Sequence, residues 1–133
     1  MWITVGAVFG LLAVVAGALR DHALAEYLTA ELTPVYDTAG RYHFQHALAL
    51  LAVGLLALRV RSWLVHAAGV CFLLGILVFS GSLYALSLSG FRALGMLTPM
   101  GGVLFLTGWL FLALCGIVAR RNSPPAPVEA VRR

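Results

Sequence analysis

The chain has 133 residues, 62% of them hydrophobic and 11% charged, whereas a soluble domain averages about 45–50% apolar and about 25% charged residues. That balance excludes a water-soluble globular domain and predicts one membrane-embedded domain, because several packed spans account for nearly all residues. The net charge of +4 comes from nine Arg and no Lys, distributed over helix ends without forming a stripe, which argues against nucleic acid as a partner.

Met1 to Leu19 carries no charge and reaches roughly 28 Å at 1.5 Å per residue, about enough to span a bilayer. Ala16-Gly17-Ala18 resembles a signal-peptide cleavage site, but no Lys or Arg precedes the apolar run. The stretch is therefore read as a retained helix over about 2–19. Gly6, Gly10, Ala13 and Gly17 share one of its faces, a small-residue seam suited to packing within the bundle, against another membrane protein or against a second copy. Arg20 to Asp37 then breaks the pattern with four carboxylates, while Leu24, Tyr27, Leu28 and Leu32 recur at helical spacing. This predicts a short amphipathic helix on the membrane surface, capped by Asp21 and limited by Pro34.

A second span is predicted over about 38–58, capped by Asp37 or Thr38, with Asp37 and Arg41 spaced for a local ion pair. Arg59-Val60-Arg61-Ser62 permits only a tight turn before a third span over about 63–87, which opens with the interfacial residue Trp63. After a loop at Ser89-Gly90-Phe91-Arg92, a fourth span runs over about 99–118, with Pro99 in a first turn that has no amide bond to lose. Cys71 and Cys115 lie inside apolar runs and read as small buried hydrophobes. Residues 122–133, with three prolines, lack the apolar content to fold and are expected to form a disordered cytoplasmic tail.

The predicted fold class is all-α membrane: an antiparallel four-transmembrane-helix bundle over residues 1–121, with the surface helix between its first two spans. Arg59, Arg61, Arg120, Arg121, Arg132 and Arg133 fall on the side of the termini, against Arg20, Arg41 and Arg92 on the other. Both termini of this multi-pass protein are therefore expected in the cytoplasm.

Polar groups inside spans are expensive, so they set the functional question. Tyr42, His43 and His46 recur at spacings of three and four on the second span and are expected to share a face. With Ser80, Ser82 and Tyr84 on the third, Thr98 opening the fourth and His22 after the first, they form a predicted outer-half cluster. His46 and Ser80 lie roughly 5–8 Å from the midplane by helical rise, and His66 lies too far inward to join. Interhelical hydrogen bonding is the plain reading. A metal or haem site would use His43 and His46, with His22, Met96 or Met100 available as further ligands. A proton or ion path has only His66 as an inner relay. A nucleophilic site built on Ser80 or Ser82 with His46 lacks an orienting acid. A lipid, a quinone or another small molecule could lie against Phe44, Tyr84 and Trp109. No complete catalytic or metal constellation is present, so the expected function is non-enzymatic, an accessory or assembly role, with no cofactor assigned.

Four blocks in order carry a resemblance. His22-Ala23-Leu24, Tyr42-His43-Phe44-Gln45-His46-Ala47-Leu48-Ala49-Leu50-Leu51, Phe79-Ser80-Gly81-Ser82-Leu83-Tyr84, and Thr98-Pro99-Met100-Gly101-Gly102 with Gly108-Trp109 together resemble the bacterial membrane family called domain of unknown function 423, over about residues 1–119. Its eukaryotic members are similar to the transmembrane protein 256 group. The resemblance implies a four-helix protein of the bacterial inner membrane or the mitochondrial membrane, and no established activity. Arg20 and Asp21 before His22, and Arg41 beside Tyr42, depart from the usual pattern and alter the outer mouth of the cluster.

Overall fold

A charge-free apolar run surrounded by hydrocarbon can satisfy its backbone only internally, so it coils into a helix. The computed structural model describes residues 1–121, and among them every regular element is a helix, with no strand. The elements are α1 (Trp2–His22), α2 (Thr33–Ala57), and a long third rod made of α3 (Trp63–Gly75), a π turn (Ile76–Ser80) and α4 (Gly81–Ser89). A 3-10 segment (Arg92–Leu97) then leads into α5 (Thr98–Arg121). Three stretches are long and apolar enough to cross a membrane: Trp2–His22, Trp63–Ser89 and Arg92–Ala119. At 25 residues α2 is also long, but its N-terminal half carries Asp37, Arg41, His43, Gln45 and His46.

Two boundaries differ from expectation. Residues 23–32 form turns and bends in place of a surface helix, because the segment spends its polar groups on bridging. Tyr27 donates from its hydroxyl to the Leu88 carbonyl at 3.2 Å, Glu31 pairs with Arg92 at 2.9 Å, and Leu28 alone of its leucines is buried. Secondly, α2 begins at Thr33, ahead of Asp37 and Thr38. Pro34 opens this helix, since its missing amide costs nothing in a first turn. The expected pairing of Asp37 with Arg41 gives way to a two-pronged bond from Arg20, Nε to Oδ1 at 2.9 Å and Nη2 to Oδ2 at 3.1 Å. Asp21, expected as a cap, also receives Arg20, at 2.8 Å. The predicted tail, 122–133, lies outside the described residues.

The third rod starts where the Ser62 hydroxyl accepts from the Leu64 amide, and it stops at Gly90, whose φ of 69° is left-handed backbone that glycine adopts freely. In cross-section α1 packs on α2 and α5 on α3, with α2 and the third rod adjoining between them. Contact partners run in opposite senses along each pair. Ala16 meets Tyr36, and Gly6 lies against Ala47 and Leu51. Phe72 meets Gly108, and Phe79 meets Gly101. Gly101 is where α5 comes closest, for a Cβ there would lie 2.4 Å from the Phe79 backbone nitrogen. The small-residue face of α1 is only half used: Gly6 and Ala13 are buried, but an added Cβ at Gly10 or Gly17 meets nothing within 4 Å. Leu50, Val53, Val65 and Phe72 are fully buried at the centre. At the far end from the polar residues, the Trp2 indole donates to His66 Nδ1 at 3.0 Å, tying α1 to α3.

Candidate functional site

A lateral groove has a volume of about 770 Å3. Its walls are Tyr42, Gln45, His46 and Leu48 from α2, Phe79 from the π turn, and Pro99, Gly102, Val103, Phe105, Leu106 and Trp109 from α5. The close approach at Gly101 brings α5 to the π turn, and the groove lies between α5 and α2.

His46 lies in the wall of this groove, 5% exposed. Its ring stacks on Phe105, with centroids 3.5 Å apart and planes 11° from parallel. Nδ1 lies 2.8 Å from the Tyr42 carbonyl, which can only accept, so Nδ1 carries the hydrogen. The Trp109 indole N–H then donates to Nε2 at 3.3 Å. A neutral imidazole in one tautomer satisfies both contacts, which leaves neither nitrogen free to hold a metal or to act as a base. Tyr42 lies over Phe79 with centroids 4.6 Å apart. Among the described residues the Tyr42 hydroxyl and the Gln45 amide are the groove's side-chain polar groups that take part in no bond with the protein.

His43 is placed differently. It is buried on the opposite flank of α2, edge-on to Phe9 with centroids 5.7 Å apart, and its Nδ1 lies 3.5 Å from the Tyr84 hydroxyl. Tyr84 also packs edge-on against Tyr36 at 4.8 Å. The expected common face of Tyr42, His43 and His46 is therefore divided, with Tyr42 and His46 toward α5 and His43 toward α1 and α4. Ser80 lines a cavity with His43 and not with His46, so no serine–His46 pair forms. Ser82 joins Thr98 at 3.0 Å while donating to the Phe79 carbonyl at 2.9 Å, clamping α4 to the start of α5. His22 is exposed at the end of α1, and Met96 and Met100 are exposed as well. Among the described residues no three His, Cys, Asp or Glu side chains gather as a metal set. The aromatic partner Phe105 escaped the sequence reading, although its spacing of four from Trp109 puts both on one face of α5.

Most of these polar residues fall inside a region that matches a family model. The model described as protein of unknown function (DUF423) covers residues 16–102. The chain belongs to this family. Among DUF423 relatives, a UPF0382 membrane protein of Staphylococcus saprophyticus is 40% identical over 86% of this chain and 94% of its own length. The UPF0382 membrane protein YwdK of Bacillus subtilis is 37% identical over 88% and 96% of the two chains. The UPF0382 inner membrane protein YgdD of Escherichia coli is 35% identical over 88% and 89%. No solved structure matches. Tyr42, His43, His46, Ser80, Ser82, Tyr84 and Thr98 all fall inside the DUF423 match, while Phe105 and Trp109 lie just beyond it.

Proposed function

We propose that this DUF423 chain is a four-span, non-enzymatic accessory or assembly protein of the bacterial inner membrane, and that its α2–α5 groove holds an apolar molecule drawn from the bilayer, a lipid or a quinone. The groove of about 770 Å3 carries this reading. It has the size and the aromatic lining of a small-molecule site, and the Tyr42 hydroxyl and Gln45 amide remain to orient a polar head.

Membrane residence is supported by the names of the relatives, one of them an inner membrane protein. A fourth span is supported by α2 itself. Its 25 residues reach roughly 37 Å, and its polar His43 and His46 are buried against neighbouring helices. The distribution of arginines supports cytoplasmic termini. Self-association is assigned to the Gly10 and Gly17 portion of α1, where an added Cβ meets none of the described residues within 4 Å.

The test is photolabelling in vesicles with a diazirine-bearing phospholipid and a diazirine-bearing isoprenoid quinone, read by peptide mass spectrometry. Labelling concentrated on groove residues, and suppressed by Val103→Trp at the exposed groove wall, is expected. Labelling spread evenly over lipid-facing positions such as Leu11 and Leu110, and unchanged by Val103→Trp, would remove the groove from the account.

A further inference from the structure

A second, much smaller cavity of about 120 Å3 lies on the other flank of α2, bounded chiefly by Phe9, His43, Ser80, Gly81 and Tyr84. Two polar atoms of residues that line it make no hydrogen bond to the described residues: Nε2 of His43 and Oγ of Ser80. Both residues are more than nine-tenths buried, His43 at 6% exposure and Ser80 at 1%. Buried polar side chains nearly always have a partner, and the demand is stronger where hydrocarbon replaces water. His46, three residues along the same helix, shows the usual outcome, with both nitrogens engaged.

The chemistry facing the cavity is defined. The Tyr84 hydroxyl lies 3.5 Å from His43 Nδ1; with Tyr84 as the donor, the neutral ring carries its hydrogen on Nε2. Ser80 offers a hydroxyl that both donates and accepts. Phe9 packs edge-on against the His43 ring and lines the same cavity. Ser80 also closes the π turn Ile76–Ser80, the kind of local widening found most often where a helix serves a site.

We propose that this cavity is a binding site for a small neutral hydrogen-bonding molecule, water in the cell, held between His43 Nε2–H and Ser80 Oγ. The volume suits this occupant: a water's share of liquid volume is about 30 Å3 and an internal water needs two to four polar partners. One to a few waters fit, and a lipid chain or a ring cofactor does not. No carboxylate lines the cavity and the nearby aromatic groups are uncharged, so nothing there recruits a cation or an anion. The site is independent of the groove, from which the body of α2 separates it.

The test is solution NMR of full-length protein, selectively labelled with 15N-histidine, in perdeuterated micelles, with His43 signals assigned by their loss in His43→Gln. The expected wild-type result is an Nε2-protonated His43 tautomer and a cross-peak from the ring to long-lived water. Ser80→Ala should abolish that cross-peak. Gly81→Val should abolish it too without removing a polar group, because Gly81 lines the cavity and an added Cβ meets nothing within 4 Å. An Nδ1-protonated ring with no water cross-peak, as a direct bond from His43 to the Ser80 hydroxyl would give, overturns the proposal, and so does a cross-peak that survives Gly81→Val. If Ser80→Ala does not fold, the wild-type tautomer and Gly81→Val decide the matter alone.

Discussion

Gly101 and Gly102 are adjacent on α5 and are expected to respond to alanine in opposite ways. A Cβ at Gly101 would lie 2.4 Å from the Phe79 nitrogen, 2.6 Å from its Cβ and 2.7 Å from its Cα. Two of these are backbone atoms, which cannot swing aside, so α5 must move off the π turn by about 1 Å to restore ordinary contact. Overpacking of this kind costs about 1–3 kcal/mol, and the upper end applies where backbone opposes backbone. Replacing a helical glycine returns roughly 0.5–1 kcal/mol, leaving Gly101→Ala destabilised by about 2 kcal/mol. At Gly102 the nearest atoms are Phe79 ring carbons at 3.9 Å, an ordinary contact, so Gly102→Ala keeps only the favourable helix term. The two variants should differ by about 3 kcal/mol, on the order of a hundredfold in the unfolding equilibrium constant at about 1.4 kcal/mol per tenfold. Reversible unfolding in mixed micelles titrated with dodecyl sulfate, followed by circular dichroism, gives both numbers. Equal stabilities, or Gly102→Ala as the weaker variant, would refute the close approach of α5 to the π turn.

Trp109→Phe keeps an aromatic ring but removes the donor to His46 Nε2, and the same titration should record a loss of about 0.6 kcal/mol and no more than about 1.7 kcal/mol. Gly6→Leu should unfold or loosen the α1–α2 pair, since an added Cβ already falls 2.8 Å from the Leu51 nitrogen. Gly10→Leu should leave stability intact and reduce crosslinked dimer, and undiminished crosslinking would count against self-association through that face. Asp37→Asn breaks the bidentate bond from Arg20, a half-exposed pair, so its effect on stability should be small at low ionic strength and vanish near about 1 M salt, where screening acts within about 3 Å.

The apolar runs were legible in the sequence because helix formation in hydrocarbon is compulsory for the backbone. The boundaries between Arg20 and Asp37 were not. Leu24, Leu28 and Leu32 have helical spacing, but Leu28 alone finds cover, and Tyr27 binds the far end of the third rod while Glu31 binds the 3-10 segment that follows it. Pro34 read as a stop when it was a start, although the reasoning applied to Pro99 serves equally for both. For the polar residues, depth was readable from helical rise, while lateral placement was not. Residues three apart differ by roughly 60° around a helix. On a surface helix that is one face, but α2 has neighbours on two sides, and 60° separates a histidine facing α5 from one facing α1 and α4. The pairing of Trp2 with His66 joins residues 64 positions apart, which no local pattern reports.

The π turn also sets the phase of the third rod. A π turn accommodates one residue more than an α-helical turn, so α4 is rotated by about 100° from where an unbroken continuation of α3 would carry it. That offset lets Phe72 and Gly75 in α3 meet Gly108 and Phe105 while Ser82 in α4 still meets Thr98 and Tyr84 still meets His43. Deleting the exposed Leu77 would restore a regular helix and turn every polar group beyond it away from its partner, without touching any of them. One surplus residue thus holds two halves of a single rod in separate registers, so that the length of this segment is under as much constraint as its composition.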